Sequence, residues 1–77
     1  MLPVFRGLDQ ENPYQHVREF EDICGTMRIN HMTEEALKLR LFPFSLKEKA
    51  KAWLYALQAG SITTWAKLVE EFYKKFY

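Results

Sequence analysis

The sequence predicts an all-α fold, a compact four-helix bundle preceded by an extended amino-terminal arm. Three observations carry this. Helix-start signals recur at Asn12-Pro13, at Thr33-Glu34-Glu35, at Ser45 with Glu48, and at Thr63-Thr64. Each is followed by apolar residues at spacings of three and four, the period of a helix with one buried face. No stretch alternates apolar and polar residues as a half-buried strand would.

A chain of 77 residues allows one domain, spanning residues 1–77. A chain this short buries only roughly 60% of the surface it exposes when unfolded, so its core must be rich in large groups. Two Trp, six Phe and four Tyr, in a composition 48% hydrophobic and 27% charged, meet that need and describe a globular protein.

The arm, residues 2–8, is apolar, and Pro3 and Gly7 keep it from being helical. It is expected to lie along the bundle. The first helix, over residues 12–27, opens with Asn12 as cap, Pro13 at the first helical position and Gln15 three residues after the cap. Tyr14, Val17, Phe20, Cys24 and Met27 fall on one stripe, with Arg18, Glu21 and Asp22 mostly away from it. Gly25 interrupts the pattern at a cost of about 1 kcal/mol relative to alanine, which reads as a place where another helix crosses closely.

In the second helix Thr33 caps exposed amides, and Glu34 and Glu35 meet the positive end of the helix dipole. Its run of Ala36, Leu37, Leu39 and Leu41 should end near Leu41 or Phe42, because Pro43 disfavours a helical conformation at the residue before it. Phe42-Pro43-Phe44 then makes a rigid apolar corner. Ser45 and Glu48 form a capping box for the third helix, where Leu46, Ala50, Trp53, Leu54 and Leu57 share a face and Gly60 ends the element. Thr63 or Thr64 starts the fourth, with Trp65, Leu68, Val69, Phe72 and Phe76 inward and Glu70, Glu71, Lys74 and Lys75 outward. The expected core is Val17, Phe20, Cys24, Leu37, Ala50, Trp53, Leu54, Leu57, Trp65, Leu68, Phe72 and Phe76. Within it, Trp53 and Leu54 should meet Phe20 and Cys24 on one side and Leu68 or Phe72 on the other.

These residues carry no recognisable catalytic chemistry, and the expectation is a non-enzymatic domain with no cofactor and no metal. The single cysteine, Cys24, lies on a core stripe, where a thiol behaves as a small hydrophobe. His16 and His31 lack metal-pair spacing and read as surface histidines. Adjacent carboxylates such as Glu34-Glu35 and Glu70-Glu71 point about 100° apart on a helix and read as solvated charges. No phosphate loop or serine elbow is present among three glycines.

One unpaired cysteine suits a reducing compartment, and neither a membrane-length apolar run nor a signal peptide is visible. The expected location is the cytoplasm, or the nucleus by diffusion, with no membrane partner. A net charge of +1 gives no general grip on nucleic acid, so RNA binding by this stretch should be weak and non-specific. The charge is uneven all the same, net −3 over residues 1–38 and net +4 over residues 39–77.

What remains is association. Phe5, Leu8, Leu41, Phe42, Phe44, Tyr73 and Tyr77 sit at the arm, at the corner or off the main stripes, and so form the candidate interaction surface. An arm beside the short second helix would bound a groove for a partner strand or for a neighbouring subunit's arm.

The string Arg40-Leu41-Phe42-Pro43-Phe44-Ser45-Leu46, followed by Lys49-Ala50-Lys51-Ala52-Trp53-Leu54, resembles the retrotransposon gag domain of plant gypsy-type long-terminal-repeat elements. Asn12-Pro13-Tyr14, Phe20-Glu21-Asp22-Ile23-Cys24, Gly60-Ser61-Ile62-Thr63-Thr64-Trp65 and Phe72-Tyr73-Lys74-Lys75-Phe76 extend the likeness over the whole chain, with Phe5-Arg6-Gly7 at its start. The resemblance implies a capsid-lobe-like bundle, the amino-terminal lobe of a capsid protein that builds particles by self-contact. A more distant similarity, to the capsid lobe of the neuronal activity-regulated cytoskeletal protein, implies an alternative, a domesticated adaptor that binds a short partner peptide or dimerises. Ala66 departs from the family pattern, which has an acidic residue there completing the last helix cap, and this should weaken that helix start by about 0.5–1 kcal/mol.

Overall fold

A computed structural model of the chain describes residues 2–27, 31–57 and 62–77. It is all-α, with α1 at Pro13–Gly25, α2 at Glu34–Leu41, α3 at Glu48–Ala56 and α4 at Trp65–Phe76. A 3₁₀ turn, Phe42–Ser45, joins α2 to α3. Gly60, expected to end the third helix, lies outside the described residues.

α1 starts as its sequence dictates, with Asn12 Oδ1 accepting from the Gln15 amide at 3.1 Å and Pro13 in the first turn. It buries Pro13, His16, Val17, Phe20 and Cys24. Tyr14, expected on the same stripe, is exposed, because the helical period sets it about 60° from Val17 and about 120° from Phe20. Among the described residues Gly25 does not mark a crossing, since a Cβ placed there meets none of them within 4 Å.

α2 is capped by Thr33, whose hydroxyl accepts from the Ala36 amide at 3.1 Å, and its last turn tightens into the 3₁₀ turn ahead of Pro43. That turn sends its two phenylalanines in opposite directions. Phe42 is buried with its ring edge-on to Phe20, Trp65 and Phe72, each at 5.3 Å, whereas Phe44 points to solvent.

The expected Ser45–Glu48 capping box does not form. Ser45 is buried, and its hydroxyl donates to the Phe42 carbonyl at 2.7 Å, leaving α3 to start after Lys47 with no side-chain cap. Glu48 takes a left-handed φ of 52° at this entry. The Ala50 amide in the first turn is shared between the Lys47 carbonyl at 3.1 Å and the Arg6 carbonyl of the arm at 3.2 Å.

α4 is capped by Thr64, whose hydroxyl accepts from the Lys67 amide at 3.2 Å. The acidic group missing at Ala66 is supplied from elsewhere, since Glu35 of α2 accepts from the Trp65 main-chain amide at 2.9 Å. Glu35 is thus a cap for a neighbouring helix as well as a first-turn charge. On α1, Glu21 accepts from the Trp65 indole at 2.8 Å. Since Tyr14 near the start of α1 lies beside Tyr73 near the end of α4, the two helices run antiparallel.

The core comprises Phe5, Val17, Phe20, Cys24, Leu37, Phe42, Leu46, Ala50, Trp65, Leu68 and Phe72. Trp53, Leu54, Leu57 and Phe76, expected inside, are half-buried at its margin. The Trp53 ring contacts Phe72 at 5.8 Å and Phe76 at 5.4 Å rather than Phe20 and Cys24. The reason is the arm: Phe5 wedges its ring against His16 of α1 and against Phe72 and Phe76 of α4, at 5.0–5.3 Å.

Candidate functional site

The arm is built into the domain by main-chain pairing. The Phe5 amide donates to the Ser45 carbonyl at 2.8 Å and the Lys47 amide donates to the Phe5 carbonyl at 2.9 Å, making an isolated parallel bridge between Phe5 and Leu46. Gly7 then turns the chain with φ of +89°, and a Cβ there would stand 3.1 Å from the Lys49 Cβ and from the Phe76 ring. Only glycine fits both the conformation and the space. The following turn is held by Glu11, whose Oε1 accepts from the amides of Arg6, Gly7 and Leu8 at 3.0, 2.7 and 2.8 Å. Burial alone would raise the Glu11 pKa, but these amides and the Arg6 guanidinium outweigh it and hold it below the ordinary value.

This docking corrects the expected surface. Phe5, 2% exposed, and Phe42, 1% exposed, are core residues. The arm is paired at Phe5 with the segment after the 3₁₀ turn, so the main-chain groups of Phe5 itself are already satisfied. Leu41 and Tyr73 are half-buried, Leu8 is exposed, and Phe44 at 68% and Tyr77 at 78% stand in solvent. Among the described residues a groove lies between the arm and the start of α1. It measures about 260 Å³ and is lined by Pro3, Val4 and Phe5 on one wall and by Gln10, Glu11, Asn12, Gln15, His16 and Glu19 on the other.

His16 is a second correction. Instead of lying at the surface it is buried, with Nε2 at 3.0 Å from Ser45 Oγ and its ring beside Phe5 and Phe42. Burial lowers its pKa to about 4, against a smaller upward pull from Glu11. His31 is exposed. Cys24 is buried, and burial pushes its thiol pKa up, so the site offers no ready thiolate. Among the described residues no three His, Cys, Asp or Glu side chains cluster to hold a metal ion, and no helix is long and apolar enough to cross a membrane.

Along the α1–α4 seam runs an aromatic strip, of which sequence reasoning offered Tyr73 and Tyr77 and missed Tyr14. Tyr14 and Tyr73 have ring centroids 6.2 Å apart, and Tyr73 and Tyr77 lie 5.5 Å apart, edge to face. Arg18 donates to the Tyr14 hydroxyl at 3.0 Å with its guanidinium 5.7 Å from the ring centroid. The signal available in the sequence was the i, i+4 spacing of Tyr14 and Arg18, a pair that helices bring together on a solvent face. Tyr55 is also exposed, with the Lys51 ammonium 5.9 Å from its ring centroid.

Over residues 1–77 the sequence matches the family described as the N-terminal capsid-like domain of the retrotransposon-derived protein PEG10. No curated protein and no solved structure matches the chain.

Proposed function

The chain belongs to the family of the N-terminal capsid-like domain of the retrotransposon-derived protein PEG10, and on that premise we propose that it is a self-associating lobe of a gag/capsid protein. The capsid type itself follows from the family. Assembly with further copies is the reading that the surface supports best. The observation that carries it is the exposure of Tyr14, Phe44, Tyr55 and Tyr77 on a domain that already docks Phe5 of its arm into the core. Aromatic side chains that the core does not use are the groups most enriched in protein interfaces. The role requires no enzymatic chemistry, and the buried Cys24 and neutral His16 supply none.

Nucleic acid is a poorer partner for this surface. Lys67 and Lys74 are tied to Glu70 and Glu71 at 3.3–3.5 Å, and Arg6 to Glu48 at 3.1 Å, so these cations are already partly neutralised and displace phosphate counterions less well. A second reading, an adaptor for a short partner peptide, has the groove of about 260 Å³ beside the arm in its favour. Light scattering on a sizing column across a concentration series separates the two. Mass that rises with concentration supports assembly, and a strict monomer that takes up peptide supports the adaptor.

A further inference from the structure

Tyr14, Arg18, Glu21 and Gly25 succeed one another along α1 at intervals of four, three and four residues, the spacing that keeps side chains on one helix face. Asp22 flanks the same stripe. Tyr14, Arg18 and Gly25 are exposed, and Glu21 is half-buried under its bond to Trp65. One end of the stripe carries an aromatic ring and a cation, while the other carries two carboxylates and a bare glycine. Such a stripe is complementary to itself when reversed.

We propose that this face of α1 is a two-fold interface with a second copy of the chain, the two α1 helices crossing antiparallel. The proposal rests on the self-association reading and names the surface it uses. Reversing the helix about a point between residues 19 and 20 brings Arg18 of each copy opposite Glu21 and Asp22 of the other. The same operation sets each Tyr14 ring over the other copy's Gly25. That glycine, the last residue of α1, has no neighbour within 4 Å of a Cβ among the described residues, which leaves room for a ring arriving from outside. The hydrogen bond and ring contact between Arg18 and Tyr14 hold both groups in place before association, lowering the ordering cost. Tyr73, beside Tyr14, widens the patch from α4. An isologous contact of this kind is the commonest way a chain meets its own copy. One helix pair lies at the small end of interface areas, below about 1,200 Å², and makes a weak contact suited to repetition in a larger assembly.

Sedimentation velocity on Arg18→Glu and Asp22→Arg, each alone and mixed in equal amounts, tests the arrangement. Each variant alone places like charges opposite one another twice and should lose self-association by about tenfold or more. In the equimolar mixture the carboxylate introduced at position 18 of one copy meets the guanidinium introduced at position 22 of the other. The remaining native Asp22 and Arg18 face each other across the same pair, so the mixture should restore the association of the unmodified chain. Tyr14→Ser, which changes no charge, should also weaken association. If the unmodified chain associates while both charge variants associate equally well, or if the mixture recovers nothing, this face is wrong and the self-association reading stands. If the unmodified chain stays monomeric throughout, both fall.

Discussion

The Ser45 hydroxyl lies between two elements, donating its proton to the Phe42 carbonyl at 2.7 Å and standing 3.0 Å from His16 Nε2. A serine has one hydroxyl proton. With that proton directed at the Phe42 carbonyl, the Ser45 oxygen is left to accept from His16, an arrangement that favours the Nε2–H tautomer of the buried imidazole. The bond ties α1 to the turn that also receives the arm, so the protonation state of one histidine bears on the whole assembly of Phe5, Phe42 and Ser45.

Acid should therefore loosen the domain through His16. Its folded pKa, about 4, lies below the ordinary 6.5, so the unfolded chain binds the proton more readily and stability falls as pH drops from 6.5 towards 4. The loss should be on the order of 2 kcal/mol, discounted because the His16 ring borders an open groove. Urea unfolding from pH 7 to pH 4 should show it, and His16→Gln should flatten the slope in that window.

Phe5 and Phe44, both offered by the sequence as surface anchors, should now behave oppositely. Phe5→Ala removes a buried ring wedged between α1 and α4 and should cost about 3–5 kcal/mol. Phe44→Ser at an exposed position should change stability by less than about 0.5 kcal/mol. Thermal melts of the two variants check this directly.

Glu11→Ala should free the arm's turn. It removes the acceptor of three main-chain amides, at a cost of about 1–3 kcal/mol. Hydrogen exchange should quicken at Gly7 and Leu8 before it quickens in α1. Gly7→Ala should also destabilise, by more than about 1 kcal/mol, because it combines an unfavourable φ with a crowded Cβ.

Trp53→Ala should be milder than loss of a central aromatic. Its ring is half-buried against Phe72 and Phe76, so a cost of about 2–3 kcal/mol is expected, below that of Phe42→Ala in the same unfolding assay.

Local signals read well where the chemistry stays local. Asn12, Thr33 and Thr64 cap their helices through bonds to amides three residues on, and such short-range pairs are visible as spacing. The helical period likewise located Val17, Phe20, Cys24, Leu68 and Phe72 inside. What was hidden is long-range. Ser45 has the sequence of a cap but is claimed by Phe42 and His16, and Phe5 has the position of a free arm but pairs with Ser45 and Lys47, far along the chain. Once the arm enters the core, Trp53 is displaced to the margin and His16 is drawn inside, neither of which spacing alone conveys. The exposed Tyr14 was hidden for a different reason, because three-and-four spacing tolerates residues on the shoulder of a stripe and tertiary contacts decide which side of the shoulder faces water.

The central claim, that a domain with its arm docked internally presents an aromatic surface for association with its own kind, is tested most directly by a dilution series of amide NMR spectra. The account predicts concentration-dependent shifts clustered at exposed aromatic positions such as Tyr14, Tyr77 and Phe44, with Phe5 to Leu8 unmoved. Spectra identical at all concentrations, or shifts centred on the arm, would contradict it.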